Sequence, residues 1–269
     1  MNTTIASFLS VDTFAHTFAD RWATTLATYG ARRVEIVGFL VVQTLAFWVP
    51  AGIYIALPWI APQFSERHKI QPAPKQPTAA DIRHCAWIVI RNNAMSTALT
   101  AGLALLAGDP ADEANKLLGL RIEAKLPTLA EFARDFVLCC AGREILFYYS
   151  HRLLHQPRFY RTIHKTHHKF LAPVALAAQY AHPVEHLLAN ILPIGLPPLL
   201  LHSHILTYWP FMAFILVETA TVHSGYDFFD NAAKMHDLHH EKFNLNYGAF
   251  GLMDYVHGTN KLKRTKRVD

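Results

Sequence analysis

The chain has 269 residues, 52% of them hydrophobic and only 17% charged, with a formal net charge of +5. An average soluble domain carries about 25% charged residues, so the composition argues against an ordinary soluble enzyme, and three cysteines are too few for a disulfide framework or a thiolate metal site. The basic excess gathers in the terminal "KLKRTKRVD", five basic side chains in nine residues without the interleaved aromatics of a nucleic-acid surface; a juxtamembrane tail facing an anionic leaflet explains it better.

In chain order, the first 33 residues carry Asp12, His16, Asp20 and Arg21 and lack the apolar core of a cleaved signal peptide. The apolar run at 34–62 is therefore expected to act as its own targeting signal. It exceeds the roughly 20 residues needed to cross a bilayer as a helix, and Pro50 is expected to kink it. The Pro-rich "QPAPKQPTAAD" at 71–81 reads as an extended connector. A second apolar run at 86–107 is broken only by "RNN" at 91–93, and a polar connector with a short amphipathic helix is expected over 108–128. The third run, 129–149, carries Glu131, Arg134, Asp135, Arg143 and Glu144, the last two expected to form a buried pair. Runs at 187–201 and 205–222 are joined by "HSH" and form a hairpin, with Pro193, Pro197 and Pro198 interrupting its first arm. The expected fold is all-α: an integral membrane helical bundle with a histidine-rich helical cap holding a di-metal site. Residues 1–128 form an N-terminal region with two spans, and 129–269 a catalytic region. The hairpin brings the chain back to one face, which the basic tail makes cytosolic.

The cap is read from "HRLLH" at 151–155, "HKTHH" at 164–168 and "HDLHH" at 236–240, which together hold 8 of the 17 histidines. On a helix, residues at i, i+3 and i+4 share a face. Neutral imidazole is a good ligand for iron, zinc, copper and nickel. Eight convergent imidazoles exceed the needs of one four- to six-coordinate ion, so two neighbouring metals follow. Exposed polar helix faces would favour Lys, Glu and Gln instead. His182 in "QYAHPVEH" and His223 in "VHSGYDF" stand where apolar segments meet this face and are expected as further ligands, while His186 is left open. Glu185, Asp227 and Asp237 are candidate acceptors for the second ring nitrogens, and Tyr148, Tyr149 and Tyr180 read as interfacial aromatics. A closed zinc site would use four ligands and favour cysteine, and a transport site would lie near the midplane and often include carboxylates. Two irons at the membrane surface point instead to oxygen activation against a C–H bond of a lipid.

The order H-x3-H, H-x2-H-H, H-x2-H-H resembles the fatty acid hydroxylase/sterol desaturase superfamily of membrane non-haem di-iron oxygenases. Within it the chain looks most like the sterol 4-methyl oxidases, through "HRLLH", "IHKTHHKFLAPVALAAQYAHPVEH", "VHSGYDF" and "HDLHHEKFNLNYGAFGLMDYVHGT", from about residue 145 to 260. The resemblance implies that His151, His155, His164, His167, His168, His182, His223, His236, His239 and His240 ligate two irons. It also implies an endoplasmic reticulum membrane location, O2 as co-substrate, a sterol-like substrate, and electrons from NAD(P)H through a reductase and a b-type cytochrome. No "HPGG" haem-binding stretch occurs, so the cytochrome is expected to be a separate protein. Some relatives place one more histidine before the last pentad, where this chain has Met235. Two alternatives stay open: a hydroxylase or desaturase of another lipid (fatty acyl, sphingolipid or terpenoid), and a metal-binding membrane transporter.

Overall fold

The computed structural model describes residues 11–71, 75–108, 119–228 and 231–261, almost all of them in helices and short loops. The amphipathic helix expected within 108–128 and most of the basic tail lie outside the described residues. Helix α1 (Val11–Tyr29) leads into α2 (Ala31–Ile60), the short α3 (Pro62–His68), α4 (Ala79–Leu106), α5 (Leu129–Leu154) and the short α6 (Pro157–Thr162). Beyond them come α7 (residues 183–200), α8 (Ile205–Val222), α9 (Ala232–Lys242) and α10 (Leu252–His257). Two of these, Ala31–Ile60 and Ile205–Val222, are long and apolar enough to cross a membrane.

Start signals agree with the sequence. Thr78 and Asp81 form a reciprocal capping box that opens α4, and the Thr128 hydroxyl accepts the Glu131 N–H at the start of α5. Pro193, Pro197 and Pro198 do not interrupt their helix as expected. A π turn over Thr44–Trp48 precedes Pro50, and another over His186–Ile191 precedes Pro193. A proline has no N–H for the carbonyl four residues back and its ring crowds that carbonyl; the extra residue of a π turn absorbs the mismatch and lets the helix continue.

α8 stands at the centre. Phe211, Met212, Ile215 and Ala220 of α8 form one buried cluster with Phe39, Phe47 and Ala51 of α2, Val89 of α4 and Cys139 of α5. On α2 the opposite stripe, including Val37, Val41, Leu45, Val49 and Ile53, is exposed although apolar, as a lipid-facing helix requires. Trp22 of α1 packs with Val34, Ile122 and Ile205 and donates its Nε1–H to the Glu123 carbonyl at 2.8 Å, so the N-terminal helix is tied to the hairpin.

Helices α2, α5 and α8 all end at one face, and α4 and α7 begin there. Tyr54 of α2 meets Thr221 of α8 at 3.0 Å, and Lys169, beyond α5, lies 3.8 Å from Asp81 at the start of α4. The segments between and beyond these ends form a polar cap. This order also accounts for a tight helix crossing: a Cβ on Gly38 of α2 would land inside the ring of Trp209 on α8, whereas one on Gly52 would meet nothing within 4 Å. Gly38→Ala is therefore expected to lower stability by about 1–3 kcal/mol through overpacking. Gly52→Ala, which only improves helix propensity, should be neutral or stabilising by up to about 1 kcal/mol. Thermal unfolding of the two variants in detergent checks this; equal midpoints would remove the close α2–α8 contact.

Candidate metal centre

Nine of the ten histidines singled out from the sequence converge in the cap, as two groups. His151, His155, His164, His168 and His239 form one, and His167, His223, His236 and His240 the other; within each, the ligand-capable atoms lie within 4.8 Å of one another. Four elements contribute. His151 closes the last turn of α5 with His155 just after it, and His223 follows α8. His236, His239 and His240 share one face of α9. His164, His167 and His168 are placed differently from the α-helical expectation: residues His164–Lys169 form a 3-10 helix. His164 and His168 enter the first group and His167 the second. The groups touch, with the rings of His168 and His240 4.6 Å apart and those of His167 and His168 5.4 Å apart.

The tenth histidine is not brought to either group: His182 turns back on its own chain and accepts the Val184 N–H at 3.2 Å as the cap of α7. His186, left open from the sequence, faces Ser96 at 2.8 Å and Asn190 at 3.0 Å inside the bundle.

Second ring nitrogens fix the orientation. Nδ1 of His151 donates to the Tyr247 carbonyl at 2.7 Å, Nδ1 of His239 to the Leu245 carbonyl at 2.7 Å, and Nδ1 of His223 to the Thr219 carbonyl at 2.8 Å. A carbonyl can only accept, so these Nδ1 atoms carry the hydrogen and each neutral ring presents a bare lone pair on Nε2. Those lone pairs face other imidazoles: Nε2 of His151 lies 3.1 Å from that of His164, His239 lies 3.1 Å from His155, and His223 lies 2.8 Å from His236. Glu185 receives Nδ1 of His164 at 2.7 Å, the orienting role expected of it. Of the other two acidic candidates, Asp237 takes the amide of Gln71 at 3.1 and 3.0 Å, and Asp227 pairs with Lys234.

Electrostatics keep the rings in the ligand form. Burial holds the His167 imidazole down to about 4 and that of His239 down to about 3, and pushes His164, His236 and His240 well below the ordinary histidine range with help from neighbouring rings. Burial also raises the Glu185 carboxyl. At pH 7 the cluster is thus neutral and rich in inward lone pairs, with too few protons to satisfy them. A purely imidazole donor set in two touching groups fits two borderline transition-metal cations, and every nitrogen that faces inward is one a cation would satisfy.

The loop that supplies the two carbonyls is itself pinned. Glu144 of α5 does not pair with Arg143, correcting the sequence expectation; its carboxylate instead accepts the N–H groups of Ala249, Phe250 and Met253 at 2.9, 2.9 and 3.0 Å. Asp254 accepts the N–H groups of Tyr247 and Gly248 at 2.8 and 2.6 Å. A Cβ on Gly248 would stand 2.7 Å from the Glu144 carboxylate, so only glycine lets the loop lie this close. Arg143 pairs with Glu218 of α8 at 3.1 Å. Tyr148 and Tyr180, expected at a membrane interface, are packed inside the cap. A cavity of about 290 Å³ opens beside the second group: His223 and His236 stand in its wall with Phe147, Phe214, Met235 and Phe250.

Comparison with known proteins adds an independent finding. The profile of the family described as fatty acid hydroxylase matches residues 136–259. Fatty acid hydroxylase domain-containing protein 2 of Homo sapiens is 33% identical over 256 residues, covering 93% of this chain and 74% of its own. Methylsterol monooxygenase 1 of Rattus norvegicus is 39% identical over 133 residues, 45% of each chain. A fatty acid hydroxylase of Mycosarcoma maydis is 35% identical over 205 residues, 74% of this chain and 51% of its own. No solved structure matches.

Two grouped sets of imidazoles predict a stoichiometry of about two metal ions per chain. Elemental analysis after anaerobic purification should approach two. His239→Ala and His167→Ala, one from each group, should each lower it, while His182→Ala should leave it unchanged. A value of one in fully loaded wild-type protein would remove the two-group reading.

Proposed function

The chain belongs to the fatty acid hydroxylase family, and on that premise we propose that it is a membrane-bound, non-haem di-iron monooxygenase that oxidises a C–H bond of a lipid, with a 4-methyl group of a sterol-like substrate as the first candidate. The observation that carries the reading is the placement of the cavity: an apolar chamber of about 290 Å³ has two imidazoles of the second group, His223 and His236, in its wall. That volume lies at the lower end of the range for small-molecule sites, about 300–1,000 Å³.

Irons held by the two groups would supply oxygen activation, the chemistry that no side chain can perform. The protein's own residues bind and shield. Phe147, Phe214 and Phe250 give the chamber an apolar wall that favours hydrocarbon over water. The carbonyls of Tyr247, Leu245 and Thr219 and the carboxylate of Glu185 hold the imidazoles in one tautomer. Electrons would come from NAD(P)H through a separate reductase and b-type cytochrome. The family includes proteins named for both methylsterols and fatty acids, so another lipid, such as a fatty acyl chain, is the second reading.

Expression with a reductase and cytochrome system, fed in turn with 4,4-dimethyl sterols and long-chain fatty acids, tests this by product analysis. O2-dependent oxidised sterol, lost in His239→Ala at normal membrane levels, is the expected result. Oxidised fatty acid alone would select the second reading, and no lipid product in metal-loaded protein would sink the oxygenase assignment. We further propose an endoplasmic reticulum location with the histidine cap in the cytosol, as positive-inside asymmetry favours. A cleavable tag inserted after Gln156 should then be cut by protease added to sealed microsomes; a protected tag would reverse the orientation.

A further inference from the structure

A second, much smaller cavity adjoins the apolar chamber. Its volume is about 20 Å³, and Arg143, Phe147 and Thr219 stand in the walls of both. A space of that size holds a single water-sized group. Gln179 and Asn190 complete its polar side.

Two buried atoms of its lining side chains have no hydrogen-bond partner: Nη1 of Arg143 and Oε1 of Gln179. Neither side chain is loose. Arg143 is 4% exposed, its Nη2 donates to Glu218 at 3.1 Å, and its guanidinium lies over Phe147 and Phe250 at 5.0 and 5.2 Å. Gln179 is 5% exposed at the end of the 3-10 helix Ala175–Gln179, whose last carbonyl accepts the Asn92 amide at 2.9 Å. Buried polar groups are nearly always paired, and the exceptions call for a missing partner. Here the orphans are a donor and an acceptor on the lining of one cavity.

We infer that the small cavity receives a hydroxyl group of the lipid whose body fills the larger chamber, its oxygen accepting from Arg143 Nη1 and its hydrogen donated to Gln179 Oε1. The inference rests on the oxygenase reading for the larger chamber as substrate site. A hydroxyl supplies one acceptor and one donor in the volume of a water. A carboxylate fits worse: Glu218 already balances the charge of Arg143, a second anion would stand beside it, and it brings no hydrogen for Gln179. A ketone or ester satisfies Arg143 alone. Arg143 and Gln179 would thus be binding residues that choose hydroxylated lipids and fix which carbon reaches the metal end of the chamber.

Equilibrium binding of tritiated probes to the metal-loaded protein in nanodiscs tests this with two matched sets: cholestanol against cholestane, and octadecan-1-ol against octadecane and octadecanoate. At least one alcohol should bind about 10- to 100-fold tighter than its deoxy partner, the range of a hydrogen bond to a charged group. Arg143→Lys, which keeps a cation for Glu218, and Gln179→Met, which keeps length, should each remove most of that preference, read as the ratio of alcohol to deoxy affinity within each variant. No hydroxyl preference in either set, a tighter carboxylate, or a preference intact in both variants would overturn the inference and leave a bound water as the cavity's occupant. Oxidation products are followed in parallel. Hydroxyl preference without any oxidised lipid would remove the oxygenase reading alone, and oxidation without hydroxyl preference would remove only the hydroxyl site.

Discussion

Nine imidazoles are packed so that their nitrogens face one another rather than water, and the rest of the cap is arranged around the cost of doing so. Three of the rings spend their only hydrogen on a backbone carbonyl, those of Tyr247, Leu245 and Thr219. Each leaves a lone pair about 3 Å from another ring's nitrogen, as between His151 and His164 at 3.1 Å. Lone pairs at that distance repel unless a proton or a cation lies between them. Protons are in short supply because burial drives the rings neutral. The same burial that makes protonation unfavourable makes a metal cation the remaining way to satisfy the cluster.

That arrangement depends on backbone outside the pentads. The carbonyls of Leu245 and Tyr247 come from a loop entered through Phe243 at φ 65° and Asn246 at φ 52°. A left-handed conformation is unusual for a bulky aromatic, and here it is held by packing: the Phe243 ring lies 4.9 Å from that of His168. Glu144 then takes three N–H groups of the following segment and Asp254 takes two more. Strain at Phe243 and two buried carboxylates therefore serve one end, to place two carbonyls against His151 and His239.

The histidine pentads were legible because imidazole is rare on ordinary helix faces and because i, i+3, i+4 spacing has a direct geometric meaning. Spacing does not reveal how the middle pentad divides between the two groups, since H-x2-H-H is compatible with an α-helix or with the 3-10 helix found here, and the division follows from the rings each imidazole meets across the cap. The carbonyl partners were invisible, for a backbone acceptor leaves no mark on residue type. Glu144 stands out as a carboxylate in an apolar run, but the sequence neighbour Arg143 is not its partner. Adjacent residues on a helix point about 100° apart; Arg143 turns to Glu218 and Glu144 to the loop. His182 illustrates the converse: a histidine before a proline at a helix start has a local use as a cap, which the resemblance to the family overrode. The helix-continuing π turn before Pro193 also lies beyond a rule that treats proline as a break.

The third apolar run shows why so polar a helix can belong to a membrane bundle. Charges in such a helix are tolerated when they face the interior and are paired. Asp135 is 1% exposed and bound by Arg134, Arg143 is paired across to Glu218, and Glu144 is saturated by backbone N–H groups. Along α5 the buried positions run Asp135, Cys139, Arg143, Glu144, Tyr148, His151, a continuous stripe, while Val137, Leu138, Ile145 and Tyr149 are exposed. The stripe grades from a structural ion pair, through the wall of the apolar chamber at Arg143 and Phe147, to a metal-facing imidazole at His151. One face of one helix thus joins bundle packing, substrate chamber and cap. A substitution there can change chemistry without touching a ligand, because Glu144 reaches His151 only through the carbonyl of Tyr247.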